Sequence, residues 1–264
     1  MIITDQLGRK VHLNSPAKRI VSLVPSQTEL LFDLGLDAEV IGITKFCIHP
    51  TKWFKFKKRI GGTKNIDIEL VRELKPNLII ANKEENTKEQ IEQLFAIAPV
   101  WTSDVNCLSG AFDMIEKIGA ITNKVESATN LNTEIQQSFQ HLKKAEKPKN
   151  ICYLIWQNPY MTIGGDTFIN DILQRCGLKN VFSDTKRYPI ITIQEMKDAN
   201  PEIILLSSEP YPFKAKHIDA LQLQFPNTNI KLVDGEMFSW YGSRLLKSVN
   251  YFNSLLKEIS LETC

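Results

Sequence analysis

Two stretches of this chain follow one plan. Asp67-Ile-Glu-Leu-Val-Arg-Glu-Leu-Lys-Pro76 leads into Leu78-Ile-Ile, and Thr192-Ile-Gln-Glu-Met-Lys-Asp-Ala-Asn-Pro201 leads into Ile203-Ile-Leu. Each opens on a side chain able to cap a helix, runs for the same length, stops at a proline and releases the chain into a short apolar run. A continuous apolar run of strand length has to be covered on both faces, which is the condition of a strand in a parallel sheet. This repeated helix-to-strand handover constrains the fold more than any other feature.

The rest of the chain keeps the same alternation. Arg19-Ile-Val-Ser-Leu23 reads as a strand, Pro25 to Glu29 as a turn with Ser26 and Glu29 placed for a capping box, and Leu30, Leu31 and Leu34 as a helix ending at Gly35. Val40 to Ile43 and Ile151 to Ile155 are further strands, and Thr167 to Cys176 is a helix closed by Gly177. Such alternation predicts an α/β fold of two Rossmann-like lobes with parallel sheets. Between the halves, Lys124 to Lys147 lacks glycine and proline and keeps Leu131, Ile135, Phe139 and Leu142 on one stripe, which predicts a single long helix. The expected organisation is a first lobe over 1–122, a connecting helix over 123–148 and a second lobe over 149–264.

Composition narrows the partners. With 43% hydrophobic and 23% charged residues the 264-residue chain folds, and a net charge of +2 carries no nucleic-acid footprint. The one basic knot, Lys52, Lys55, Lys57, Lys58 and Arg59, reads as a solvated loop. Apolar runs such as Leu78 to Ala81 fall far short of the ~20 residues of a membrane span. The first residues show no export signal, and five cysteines (Cys47, Cys107, Cys152, Cys176, Cys264) without a CxxC suit reduced thiols. A cytoplasmic location is therefore allowed.

In open α/β sheets ligands gather beyond the carboxyl ends of the strands, so the residues just after each strand are the ones to inspect. These are Pro25-Ser26; Thr44 to Pro50 with Phe46, Cys47 and His49; Asn82 to Asn86; Trp156-Gln157; and Phe238 to Arg244. Phe238, Trp240 and Tyr241 fall in a segment that reads as a loop, where they either form a satellite core or wall a ligand. Arg244 either meets an anionic ligand or pairs with a neighbouring carboxylate. Cys47-x-His49 has metal-ligand spacing, but it equally fits a packed cysteine and a histidine bonded to backbone, and His12, His141 and His217 lie in contexts that read as exposed. No nucleophile elbow, P-loop, GxGxxG or HExxH is present, and Gly61-Gly62 and Gly164-Gly165 read as turns. The expectation is a binding protein with no catalytic residue and no catalytic cofactor.

Asp5-Gln-Leu-Gly-Arg9, Arg19 to Phe32, Gly61-Gly62, Glu69 to Ala81 and Asn200 to Leu206 together resemble the helical-backbone receptors of ABC transporters, the substrate-binding proteins for vitamin B12, ferric siderophores and haem. The likeness covers nearly the whole chain and is nearest to the cobalamin-binding branch. It implies two α/β lobes bridged by one helix (a class III periplasmic-binding-protein-like fold), a metal chelate held in the inter-lobe cleft, a monomer and a periplasmic location. It also implies permease partners, docked through one acidic residue per lobe. Glu69 falls on the first acidic position and Gln194, with Glu195 beside it, on the second. Cleft aromatics of the branch fall on or near Phe46, Tyr188 and Trp240, its first-lobe cleft tryptophan falls on Thr63, and its cleft arginine falls near Trp240. Cys176 matches one half of the branch's disulfide, with no partner around Asn250. The other reading is a cytoplasmic corrinoid- or metal-chelate-handling protein or enzyme on the same fold.

Overall fold

The computed structural model describes residues 1–261. The chain begins with a hairpin, β1 (Ile2–Thr4) against β2 (Lys10–His12), whose turn is tied by Asp5: its carboxylate accepts from the Leu7 and Arg9 amides and pairs with the Arg9 guanidinium at 2.7 Å. Then come β3 (Ile20–Ser22), α1 (Pro25–Asp33), β4 (Val40–Ile43), α2 (Thr51–Phe56), β5 (Lys58–Arg59), α3 (Ile68–Leu74), β6 (Leu78–Asn82), α4 (Lys88–Leu94), β7 (Val100–Ser103), α5 (Leu108–Ile121) and α6 (Val125–Gln140). The second half supplies β8 (Lys149–Leu154), α7 (Phe168–Arg175), β9 (Leu178–Asn180), α8 (Ile193–Asp198), β10 (Ile203–Ser207), α9 (Ala215–Gln222), β11 (Asn229–Val233), α10 (Gly235–Ser239) and α11 (Leu245–Leu261).

The chain forms two lobes. The first comprises Met1–Val105, Ser109–Gln137 and Trp240–Leu246; the second comprises Asn106–Leu108, Ser138–Ser239 and the chain from Lys247 onward. The first holds a parallel five-stranded sheet in the order β5-β4-β3-β6-β7, and the second a parallel four-stranded sheet in the order β11-β10-β8-β9. In each parallel sheet the strand that comes first in the chain, β3 or β8, sits inside the sheet. Later strands add on one side and then on the other, which puts a topological switch point between β3 and β6 and another between β8 and β10. Strands β6 and β10 are buried along their whole length. Each lobe has its own core: Val21, Leu23, Val71, Ile79 and Leu94 are members of one, and Cys152, Leu154, Met196, Ile204 and Leu221 of the other.

The repeated motif folds twice in the same way. Asp67 caps α3 by accepting from the Leu70 amide at 3.0 Å, and Thr192 caps α8 in a capping box with Glu195. Each helix then leaves through a left-handed residue directly before its proline, Lys75 at φ 47° and Asn200 at φ 46°, and the strand starts two residues after that proline.

Several expectations are corrected. Ser26 does not cap α1: the N-cap is Val24, Pro25 takes the first helical position where its missing N–H costs nothing, and Ser26 lies inside the helix. The basic knot is ordered into α2 and β5, because Trp53 is buried and Asp37 collects the surrounding donors, Trp53 Nε1 at 2.8 Å and Lys52 Nζ at 3.2 Å. The helix expected over 124–147 ends at Gln140. There the Asn253 side chain accepts from the Lys143 amide at 2.8 Å and donates to the His141 carbonyl at 3.1 Å, so the side chain supplies partners that a further helical turn would have provided. Phe238 belongs to α10 and is wholly buried against Tyr153 and Phe252, the satellite-core reading. His217 is buried: its Nδ1 accepts from the Lys214 amide at 2.7 Å and its ring packs on Tyr211 and Phe213. Of the two glycines read as a turn, Gly165 opens the turn before α7, while Gly164 lies just outside it; their amides donate to the Thr185 and Arg187 carbonyls, and a Cβ at Gly165 would stand 2.1 Å from the Ser183 carbonyl oxygen.

Candidate ligand-binding site

The carboxyl edge of the first lobe's sheet is built from the turns after β3, β4, β5 and β6. The turn after β6 is the most highly organised. Asn82 ends the strand, and its Oδ1 accepts from the Glu84 and Glu85 amides at 2.8 and 3.1 Å while its Nδ2 donates to Ser103. Asn86 accepts from the Asn82 amide at 2.9 Å and donates to the Thr63 carbonyl at 2.9 Å, which ties this turn to the one after β5. Asn82 and Thr63 are both buried, so the two predicted site residues serve as the frame of the edge. Their amide and carbonyl groups are occupied in forming it.

After β4, Phe46 and Cys47 divide. Cys47 has no exposed surface; Thr28 donates to its sulfur at 3.1 Å, Thr44 lies 3.2 Å away, and burial raises the thiol's pKa. Of the two readings of Cys47-x-His49, the structure matches the packed cysteine, sealed from solvent with its sulfur against two threonine hydroxyls. Among the described residues no group of three His, Cys, Asp or Glu side chains is placed to hold a metal ion. Phe46 keeps 51% of its surface exposed, with Lys45 Nζ 5.2 Å from its ring centroid. His49 is half-buried, its ring set edge-on to Trp240 at 5.7 Å.

Trp240 and Tyr241 are themselves buried, as is Ser26. The other face of the Trp240 environment belongs to Arg244, whose guanidinium lies 4.5 Å from the ring centroid and donates two bonds to the Glu29 carboxylate, at 2.8 and 2.9 Å. Arg244 thus takes the neighbouring-carboxylate alternative, and Trp240 is packed by that pair where a free stacking face was expected. Sequence reasoning assigned Glu29 to a cap and left Arg244 without a named partner.

In the second lobe the edge is aromatic. Trp156, just beyond β8, is 39% exposed and meets Tyr211 edge-on at 5.5 Å. The Tyr211 hydroxyl donates to Gln157 Oε1 at 3.1 Å, and Gln157 Nε2 donates to the Tyr160 hydroxyl at 3.2 Å. Tyr188 is half-buried in the segment before Ile190, which bridges to Met161 and through it to Trp156. Tyr211 and Tyr160 went unnoticed in the sequence because each follows its strand by several residues.

Glu69 is exposed in the first turn of α3, 3.4 Å from Arg72, and Gln194 is exposed at the corresponding turn of α8, donating to Asp198 at 2.8 Å. Glu195 is held in its capping box, whose bonds from Thr192 lower its pKa.

Among the described residues no helix is long and apolar enough to cross a membrane. A family model described as periplasmic binding protein matches residues 20–225. The vitamin B12-binding protein of Vibrio campbellii is 27% identical over 200 residues, spanning 74% of this chain and 72% of that protein. The solved periplasmic vitamin B12 binding protein BtuF of Vibrio cholerae aligns with a TM-score of 0.74 at 21% identity, over 92% of this chain and 97% of that one. The periplasmic heme-binding protein RhuT from Roseiflexus aligns with a TM-score of 0.79 at 18% identity, over 92% and 98% of the two chains.

Proposed function

This chain belongs to the periplasmic binding protein family, and from that premise we propose that it is the substrate-binding protein of an ABC transporter, carrying a corrinoid or a related metal chelate such as haem or a ferric siderophore. The observation that carries this reading is Phe46, a large aromatic ring left 51% exposed on a sheet edge whose polar frame is otherwise buried and bonded. Broad, flat ligands stack on such rings, which contribute through area burial and ring geometry together. Relatives named for vitamin B12 and for haem support the ligand class.

In this reading the protein binds and does not transform its ligand, and permease subunits dock on the exposed acidic residue of α3, Glu69. The matching place on α8 is Gln194, and the adjacent Glu195 is committed to the capping box. Docking on the second lobe therefore uses either an uncharged group or a carboxylate shared with a helix cap.

Titration of the purified protein with cyanocobalamin, haemin and ferric siderophores, followed by heat and absorbance, tests the proposal. Saturable binding of one of them is expected. Absence of any binding tighter than roughly 100 µM, equivalent to about 5 to 6 kcal/mol, rejects it.

A further inference from the structure

One side chain on the first lobe's carboxyl edge takes no part in its hydrogen-bonded frame. Glu85 stands in the turn after β6, beside the switch point, and its backbone is held there by the bond its amide donates to Asn82 Oδ1 at 3.1 Å. The turn is fixed again by Asn86, through its bonds to Asn82 and Thr63. The Glu85 carboxyl is therefore carried on a rigid support. The side chain is half-buried, and among the described residues no donor is bonded to its carboxyl oxygens. The charges that act on it come from two places: Lys64, in the turn before α3, and its own neighbour Glu84.

A carboxyl so placed recognises polar groups by sign and by proton. Ionised, it accepts from N–H donors and repels carboxylates; protonated, it offers a donor as well and the repulsion disappears. Burial pushes the Glu85 carboxyl above the usual glutamate range, with Glu84 adding to the effect and Lys64 opposing it.

Resting on the proposed function, we propose that Glu85 is the specificity residue of the first lobe, accepting the neutral amide periphery of a corrinoid and turning away chelates rimmed with free carboxylates, such as haem. A half-buried carboxyl with a bonded backbone and no bonded partner of its own is poorly explained as a structural element. Its carboxyl gives up part of its hydration, and no hydrogen bond within the lobe replaces what is lost.

The test is the ratio of haemin to cyanocobalamin dissociation constants at pH 8 and pH 5.5, for the parent protein and for Glu85→Gln. In the parent the ratio is expected to fall about tenfold on acidification, as the carboxylate gains its proton. In the variant it is expected to be low at both values and to change with pH only as far as haemin's own titration dictates. Any pH dependence belonging to haemin itself persists in the variant and cancels in the comparison. A carbon-13 titration of glutamate carboxyls in ligand-free protein is the second measurement, with one resonance titrating above the others and missing from Glu85→Gln. Parent and variant ratios that agree at both pH values overturn the inference while leaving the proposed function intact. A parent protein that binds neither ligand removes the proposed function first and this inference with it.

Discussion

Arg244 closes on Glu29 across 215 positions of chain, Nε to Oε2 at 2.8 Å and Nη2 to Oε1 at 2.9 Å, with both residues only 6% exposed. The planar fork matches the carboxylate, and Trp240 covers the guanidinium. Through this pair the segment Trp240–Leu246, late in the chain, becomes part of the first lobe, against the helix that follows its first central strand.

Removing one partner leaves the other charge buried and uncompensated. Arg244→Met is expected to cost about 3 to 5 kcal/mol and to lower Tm by roughly 10 °C in a thermal melt followed by circular dichroism. The double variant Glu29→Gln, Arg244→Met is expected to recover much of that loss. A single variant as stable as the parent would show that the pair is not the bond holding this segment.

Phe46 is exposed on the carboxyl edge of the sheet and contributes little to the core, so truncation separates binding from folding. Phe46→Ala is expected to weaken chelate binding by about tenfold or more, since burying a phenylalanine ring is worth about 1.5 to 3 kcal/mol. Tm should move by no more than about 2 °C, as for other surface changes. Calorimetric titration beside a thermal melt reads both. A large Tm loss with unchanged affinity would place Phe46 in the fold and not in the site.

Asp37 collects Trp53, Lys52 and Lys57, and bonds from these donors bring its carboxyl down to about 2 from the ordinary 3.8. A lowered carboxylate stabilises the folded state above its unfolded value, and the contribution is lost as pH falls toward the folded one. Urea unfolding as a function of pH should therefore show stability declining between about pH 4 and 2, with a shallower decline in Asp37→Asn. Glu39, Glu195 and Glu202, also lowered by hydrogen bonds, keep their share of the slope in the variant. Parallel curves for parent and variant would contradict the assignment.

Burial pushes the thiols of Cys152 and Cys176 up to about 12 and raises that of Cys47 as well. Cys107 alone among the four cysteines of the described residues keeps partial exposure. Iodoacetamide at pH 8 is expected to modify Cys107 well before the other three in folded protein, as read by peptide mass spectrometry. Cys264 lies outside the described residues and is best replaced by serine for this experiment. Early labelling of Cys47 would restore it as an accessible ligand candidate.

Much of the fold was legible because its signals are local. Asp67 and Thr192 announce helix starts, Pro76 and Pro201 announce the ends, and the apolar runs from Leu78 and Ile203 can only be covered strands. The errors arose where one residue type serves two local roles. Ser26 and Glu29 have capping-box spacing, yet Pro25 begins the helix one position earlier and frees Glu29 for a partner far away in sequence. The lysine-rich stretch from Lys52 to Arg59 is solvated as its charges suggest, but it looked like a loop because its anchors, buried Trp53 and the distant Asp37, are not part of its charge pattern.

The candidate site was legible only as a list of strand ends. Of the residues on that list, the sequence could not tell Phe46, exposed, from Cys47, sealed beneath Thr28 and Thr44, although the two are adjacent. Nor could it tell Asn82, consumed in framing a turn, from Glu85, which that turn presents. The sequence by itself determined the alternation of strands and helices, the caps of α3 and α8 and the parallel character of the sheets, because those follow from spacing along one segment. Which polar and aromatic groups remain available to a ligand was decided only in the tertiary structure. Availability depends on whether a partner arrives from elsewhere in the chain, as Arg244 does for Glu29, and spacing along a segment carries no record of such an arrival.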